Sequence, residues 1–181
     1  MQKSVVRRFK WFWVWQDETE ENWLGEMSEK GYHLISVNIP CIYTFRKEQP
    51  RHYIYRLDYQ HFKKNDKQEY LQLFKDSGWE YLGNMLAWQY FRKEFVSVGI
   101  NEIFTDNQSK RAKYKRVLGL LAISFITILA IFLERVLNTS QYSSYPWWGN
   151  VHVFLLIVLM ALTYAIIKVV LRMHKLRKMW E

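Results

Sequence analysis

The chain has 181 residues, half of them hydrophobic and 18% aromatic, which excludes a long disordered protein. Its single cysteine, Cys41, excludes an internal disulfide and a multi-cysteine zinc site. Residues 1–108 carry 15 basic and 15 acidic side chains, whereas residues 109–181 carry 11 and 2, so the whole excess of +9 lies in the last 73 residues. A neutral N-terminal domain argues against direct nucleic-acid binding.

Met1–Lys10 is basic, but Phe9–Trp15 has no sustained aliphatic core and no small-residue cleavage site, so no signal peptide is expected. The first predicted element is an aromatic strand, Arg8–Trp15. A helix follows, opened by Asp17 and Glu20 at capping-box spacing and closed at Gly31, where a left-handed cap favours glycine. Two strands come next, turning through Asn38–Cys41 with Pro40 and ending at Tyr43–Lys47. The series then runs again: strand Arg51–Tyr59, a helix opened by Asp66 and Glu69 and closed at Gly78, and two strands turning at Gly83–Asn84.

The recurrence is visible residue by residue. Trp23-Leu24-x-x-Met27 aligns with Tyr70-Leu71-x-x-Phe74, and Lys30-Gly31-Tyr32-His33 with Ser77-Gly78-Trp79-Glu80, at an offset of 47. Tyr43-Thr44-Phe45-Arg46-Lys47 aligns with Gln89-Tyr90-Phe91-Arg92-Lys93 at an offset of 46. The expectation is an α+β domain built from a duplicated β-α-β-β unit (7–47 and 51–93), an antiparallel sheet of about six strands with two helices on one face.

Glu94–Ser109 reads as the exit from this domain, with a short element around Ile100–Phe104. A basic juxtamembrane segment, 109–116, precedes Val117–Leu133, which holds 17 residues without a charge. A second apolar run, 151–171, ends in a basic tail, 172–181. Both runs reach the length a bilayer core requires, about 17–25 residues. The connecting loop, 134–150, carries only Glu134 and Arg135, so the positive-inside rule places both termini in the cytoplasm of a cell-membrane protein. Trp147 and Trp148 stand where an interfacial aromatic belt belongs, and Lys113, Lys115, Arg116, Arg172 and Lys175 are the expected contacts to anionic lipid.

The candidate binding residues are the strand aromatics Trp11, Trp13, Trp15, Tyr53 and Tyr55. Strand alternation puts each set on one face, and helices on one side of a sheet leave the other aromatic face to meet a partner or a ligand. Nothing in the sequence reads as catalytic. No HExxH, GxSxG, GxxxxGK[ST] or GxGxxG is present, and His33, His52 and His61 lack metal-ligand spacing, so no metal or cofactor is expected. Cys41 reads as a packing residue, and Asp17, Glu18, Glu20 and Glu21 as a helix start favouring the macrodipole.

Arg8-Phe9-Lys10-Trp11-Phe12-Trp13, Trp23-Leu24-x-x-Met27-x-x-Lys30-Gly31-Tyr32-His33-Leu34, Gly78-Trp79-Glu80-Tyr81 and Tyr90-Phe91-Arg92-Lys93 together resemble a bacterial family, domain of unknown function 2812, over roughly residues 5–110. That family has no established catalytic residues, and its members often sit beside PadR-like transcriptional regulators. The resemblance therefore implies a regulatory partnership. A doubled β-α-β-β unit is also similar to the effector-binding domains of GyrI-like drug sensors, an analogy of fold alone. The expectation is a non-enzymatic, membrane-anchored regulatory or sensory protein that binds a protein partner. The alternative is a sensor of apolar or cationic small molecules held between the repeats. Assembly with a second copy is left open.

Overall fold

The computed structural model of the chain describes residues 4–62, 66–97, 107–138 and 148–178. The chain divides into two compact units, Met1–Lys113 and Tyr114–Glu181. The expected element around Ile100–Phe104, the interfacial Trp147 and the loop residues 139–147 lie outside the described residues, as does the side chain of Trp148.

Within the first unit the order is β1 (Val5–Phe9), α1 (Asp17–Glu29), β2 (Tyr32–Asn38), β3 (Ile42–Lys47), β4 (Tyr53–Tyr59), α2 (Asp66–Asp76), β5 (Glu80–Met85) and β6 (Trp88–Glu94). The strands form two three-stranded antiparallel sheets, ordered β1-β3-β2 and β4-β6-β5, rather than one ladder of six. Both sheets place the last strand of the unit in the middle. Each carries a bulge at the equivalent position, between Leu34 and Ser36 and between Tyr81 and Gly83. Both helices end in a left-handed glycine, Gly31 at φ 79° and Gly78 at φ 81°. A Cβ at Gly31 would come within 2.5 Å of the Glu48 carbonyl oxygen, so that turn has no room for a side chain. The two β-α-β-β units read from the sequence are thus present as structure, with β2 and β5 as neighbours across the seam between the sheets.

Three local expectations are corrected. The aromatic strand stops at Phe9, because its partner β3 begins at Ile42; the Lys10 N–H bonds the Cys41 carbonyl at 3.2 Å and the ladder has no further residues to offer. Trp11, Trp13 and Trp15 therefore lie on an irregular segment. The second hairpin turns at Leu86–Ala87, not at Gly83–Asn84, because Gly83, at φ 128°, sits at the bulge inside β5. Finally, Asp17 is not the N-cap of α1. Gln16 is, without a side-chain cap bond, since its Oε1 accepts the Trp13 N–H at 2.9 Å. The carboxylates behind it point inward.

Each helix packs an aromatic against the middle strand of a sheet. Trp23 of α1 meets Tyr43 and Phe45 edge-on at 4.9 and 5.7 Å. Its repeat equivalent in α2, Tyr70, meets Phe91 at 6.0 Å, and Phe74 stacks on Phe91 at 4.5 Å. Leu24, Phe45 and Phe91 are fully buried. The helices are not equivalent in a second respect. Helix α1 also runs along the outer edge of β4, a strand of the other repeat.

That edge is closed by side chains. Asp17, Glu21, Gly25 and Ser28 form one stripe of α1. Ser28 Oγ accepts the Tyr53 N–H at 3.3 Å, and Glu21 Oε1 accepts the Leu57 N–H at 2.8 Å. Arg56 Nη1 donates to the Tyr55 carbonyl at 2.8 Å. Lys113 Nζ, the last residue of the unit, donates to the Leu57 carbonyl at 3.1 Å and to Asp17 Oδ2 at 2.5 Å. A strand edge covered in this way offers no template for pairing with another chain.

The second unit begins inside α3 (Asn107–Leu137) and includes α4 (Trp148–Lys178). Arg172 Nε lies 3.4 Å from Tyr114 Oη, and the Phe132 ring lies 6.0 Å from that of His152, so the two helices run antiparallel. Leu155, Leu159, Val169 and Leu176 are buried at the spacing of one helix face. Many other apolar side chains, among them Ile123, Ile126, Phe154, Met160 and Leu171, are more than half exposed. Both helices are long and apolar enough to cross a membrane. Ser124, Thr127 and Thr163 return their hydroxyls to carbonyls four residues back at 2.8–2.9 Å, which satisfies each hydroxyl within its own helix.

Removing one partner of a buried ion pair strands the other. Lys113→Met should destabilise the full-length protein by about 3–5 kcal/mol in denaturant titration in detergent, and adding Asp17→Asn to it should restore part of that loss.

Candidate functional site

The most polar part of the interior lies at the start of α1. Asp17, Glu20 and Glu21 are all buried, at 2%, 6% and 7% exposure. The sequence reads them as a helix start favouring the macrodipole; the fold also turns Asp17, Glu20 and Glu21 inward. Glu20 Oε1 accepts hydrogen bonds from Tyr43 Oη of the first sheet and Tyr90 Oη of the second, each at 2.7 Å. One carboxylate oxygen therefore links the middle strands of both sheets. Burial pushes the Glu20 carboxyl above its ordinary range, against the two tyrosine hydrogen bonds. Burial also pushes Glu21 up to about 8, opposed by Lys113 and by Arg56 at 3.6 Å. Tyr43 and Tyr90 are raised by burial first and by the Glu20 charge second, so both remain donors at any physiological pH.

These groups are closed in on one another. Their partners are backbone and side chains, and the raised proton affinities of Glu20, Glu21, Tyr43 and Tyr90 follow from burial, the signature of a structural network as well as of an active site. Cys41 is buried, and burial holds its thiol above the usual range, which disfavours the nucleophilic thiolate. Among the described residues no group of three or more His, Cys, Asp or Glu could hold a metal ion.

A second feature lies on the seam between the repeats. A cleft of about 230 Å³ is lined by His33, Leu34 and Ile35 of β2, Arg46 of β3, Glu48, Glu80, Tyr81 and Leu82 of β5, and Arg92 of β6. Eight of these nine are repeat equivalents: His33 with Glu80, Leu34 with Tyr81, Ile35 with Leu82, and Arg46 with Arg92. His33 stands opposite Arg46 in one sheet, as Glu80 stands opposite Arg92 in the other. Arg92 grips Glu80 through Nε and Nη2 at 2.7 and 2.9 Å. The alignment of the repeats places these columns together, but the two-sheet arrangement that turns them into a cleft is not visible in sequence.

The five predicted aromatics divide. Trp11 and Trp13 are each 53% exposed, and Trp15 is half-buried. Trp13 lies edge-on to Trp11 at 5.8 Å and stacks parallel on Trp15 at 5.4 Å, so the three make a ladder. Next to them Phe9 is 67% exposed, with Arg7 and Arg8 also exposed. Tyr53 is half-buried beneath Arg92 at 4.9 Å and edge-on to His33 at 5.3 Å. Tyr55 is buried, and its Oη lies 3.4 Å from the Leu34 N–H, across the seam. Tyrosines 53 and 55 thus sit beside the seam, apart from the tryptophan ladder's ring contacts. Of the expected lipid contacts, Lys115 and Lys175 are exposed, as is Arg116, and Arg172 is half-buried beside Tyr114. Lys113 is buried and committed to Asp17 and Leu57, which withdraws it from the headgroups.

The fold and its features define a two-part protein: an α+β domain of paired β-α-β-β units, followed by two helices able to span a membrane. The chain belongs to the family described as protein of unknown function DUF2812, whose model matches residues 16–126. The match takes in α1, both sheets except β1, the seam cleft and Lys113, and it starts after the tryptophan ladder, ten residues or so later than the sequence resemblance places it. No curated protein and no solved structure matches the chain.

Glu21 provides a pH test. Its folded pKa of about 8 lies above its ordinary 4.5, so the folded state holds a proton that the unfolded chain has released. Its contribution is fully present below about 4.5 and is lost as pH rises through 8. The melting temperature of the full-length protein should fall from pH 5 to pH 8.5, and Glu21→Gln, which keeps an acceptor for the Leu57 N–H, should flatten that decline.

Proposed function

We propose that this DUF2812 protein is a non-enzymatic regulatory or sensory protein of the bacterial cell membrane. Its N-terminal domain holds a partner protein at the cytoplasmic face, and α3 and α4 anchor it there with both termini inside. The observation that carries the reading is the Trp11–Trp13–Trp15 ladder. Two half-exposed tryptophans in edge-on contact, one of them stacked on Trp15, beside an exposed Phe9 and two arginines have the composition of an interface centre. The PadR-like regulators that the family resemblance brings with it are the partner class we favour. Anchoring concentrates the docking surface at the membrane and withdraws a captured regulator from the cytosol. Lys115, Arg116 and Lys175 serve as headgroup contacts on the cytoplasmic side.

A second reading has its own observation. The seam cleft is concave and lies between the repeats, where a small ligand could bridge them. Its lining is charged and polar, so it fits polar compounds rather than the apolar or cationic ones that an aromatic lining would take.

The partner reading is tested by affinity purification of the tagged full-length protein from its native membrane, with quantitative mass spectrometry of co-eluting proteins. A regulator that co-elutes with wild type should drop at least tenfold with the Trp11/Trp13/Trp15→Ala variant. Equal recovery with both proteins would remove the ladder from the interface.

A further inference from the structure

Each three-stranded sheet has two outer edges, and three of the four are accounted for. Helix α1 closes that of β4, and β2 and β5 face one another at the seam. The fourth belongs to β1. Its bonding pattern follows from the register. The Ser4 carbonyl accepts the Lys47 N–H at 3.0 Å, and the Lys10 N–H donates to the Cys41 carbonyl at 3.2 Å. Antiparallel strands bond at every second residue, so Ser4, Val6, Arg8 and Lys10 turn their backbone groups to β3. The N–H and C=O groups of Val5, Arg7 and Phe9 therefore point away from the sheet. Among the described residues nothing bonds them.

The side chains of this edge are as open as its backbone. Val5, Arg7, Arg8 and Phe9 are all exposed. Val6 and Arg8 stand opposite Phe45 and Tyr43, the residues that meet Trp23 of α1. Val5, Arg7 and Phe9 therefore lie on the sheet face turned away from that helix. Neither Arg7 nor Arg8 has an acidic partner among the described residues. The Arg8 guanidinium lies 5.5 Å from the Tyr32 ring, a contact that leaves its charge in place.

Charge on an edge strand guards it against pairing with copies of itself. A second β1, paired along its whole length, would set Arg7 opposite Arg7 and collect four arginines on two strands, a destabilising arrangement. The same arginines attract a strand of opposite charge, and Val5 and Phe9 flank them with apolar contact. We propose that the outer edge of β1 takes up an extended acidic segment of the partner protein as a fourth strand of the first sheet. Main-chain hydrogen bonds to Val5, Arg7 and Phe9 hold the segment, and cross-strand pairs select it. Its residues facing Arg7 and Arg8 are Asp or Glu, and those facing Val5 and Phe9 are apolar. Beyond Phe9 the chain runs on into the exposed Trp11 and Trp13, so the edge and the tryptophan ladder adjoin. The proposal rests on the partner reading above and supplies the mode of docking and the chemistry of the docked segment.

The test uses the full-length protein in phosphatidylcholine nanodiscs and the capped peptide Thr-Val-Glu-Glu-Thr-Val-Thr, with a counterpart carrying Lys for both Glu. Amide hydrogen exchange, read by NMR at saturating peptide, reports on the edge directly. The acidic peptide should slow exchange of the Val5, Arg7 and Phe9 amides at least tenfold and leave Val6 and Arg8 unchanged. The lysine peptide should slow none of them, and Arg7→Glu/Arg8→Glu should reverse the preference. An added strand uses only alternate N–H groups. N-methylation of every second peptide residue should therefore abolish binding in one phase and be tolerated in the other. Binding that both methylated forms retain and that Trp11/Trp13→Ala removes would overturn strand addition and leave the partner reading standing. Binding of neither peptide would overturn the acidic strand, with the partner reading then decided by the co-purification above. Protection of the edge amides without peptide, rising with protein concentration, would assign the edge to a second copy. Protection brought by phosphatidylglycerol in the disc would assign it to lipid. Either result would overturn the proposal.

Discussion

Two three-stranded sheets do not make a domain unless something joins them, and here the join is helix α1. Its apolar stripe, Leu24 and Met27, is buried in the core, while the neighbouring stripe of Asp17, Glu21 and Ser28 closes the edge of β4. Glu20, on the same stripe as Leu24 and Met27, holds a tyrosine from each sheet on one oxygen. Burying three carboxylates costs hydration, and the fold offsets that cost with partners for each: a lysine, two phenols and a backbone N–H. The remaining cost appears as raised proton affinity at Glu20 and Glu21. Helix α2 has no such duty. It packs on its own sheet through Tyr70 and Phe74, and only Phe74 of its residues is fully buried.

This division of labour between two similar units makes the seam what it is. The units match in strand order, bulge position and helix-ending glycine, so their equivalent residues meet across the seam. Likeness between the repeats thus sets the lining of the cleft, in which Arg46 pairs with Glu48 and Arg92 with Glu80. The tryptophan ladder lies outside this symmetry, on a segment of the first repeat that extends past the end of its strand, and it lies outside the matched family region as well.

Much of the plan was legible in the sequence. The offset between Trp23-Leu24 and Tyr70-Leu71 gave away the paired units, Gly31 and Gly78 marked the helix ends, and the charge-free runs marked the two long apolar helices. What escaped depended on contacts distant in the chain. Aromatic alternation from Arg8 to Trp15 fits a strand, but a strand lasts only as long as its partner, and β3 starts too late to hold Trp11 onward. Asp17 and Glu20 have the spacing of a cap, and nothing local reveals that Lys113 and Tyr90, dozens of residues away, will draw them inward. Tyr55 alternates like an exposed aromatic, yet the seam encloses it. The candidate site was half legible. The columns His33/Glu80 and Arg46/Arg92 stand in the alignment, but only the folded seam brings them to one cleft.

The central claim is that Glu20 couples the two sheets, so that they open together. Hydrogen–deuterium exchange of the full-length protein in nanodiscs, comparing wild type with Glu20→Met, tests it most directly. Loss of the shared acceptor should lower protection in β3 and β6 by the same factor, at least tenfold, because the tyrosines of both strands lose one anchor. Loss of protection in only one of the two strands would contradict the account, and would mean that the sheets are stabilised separately.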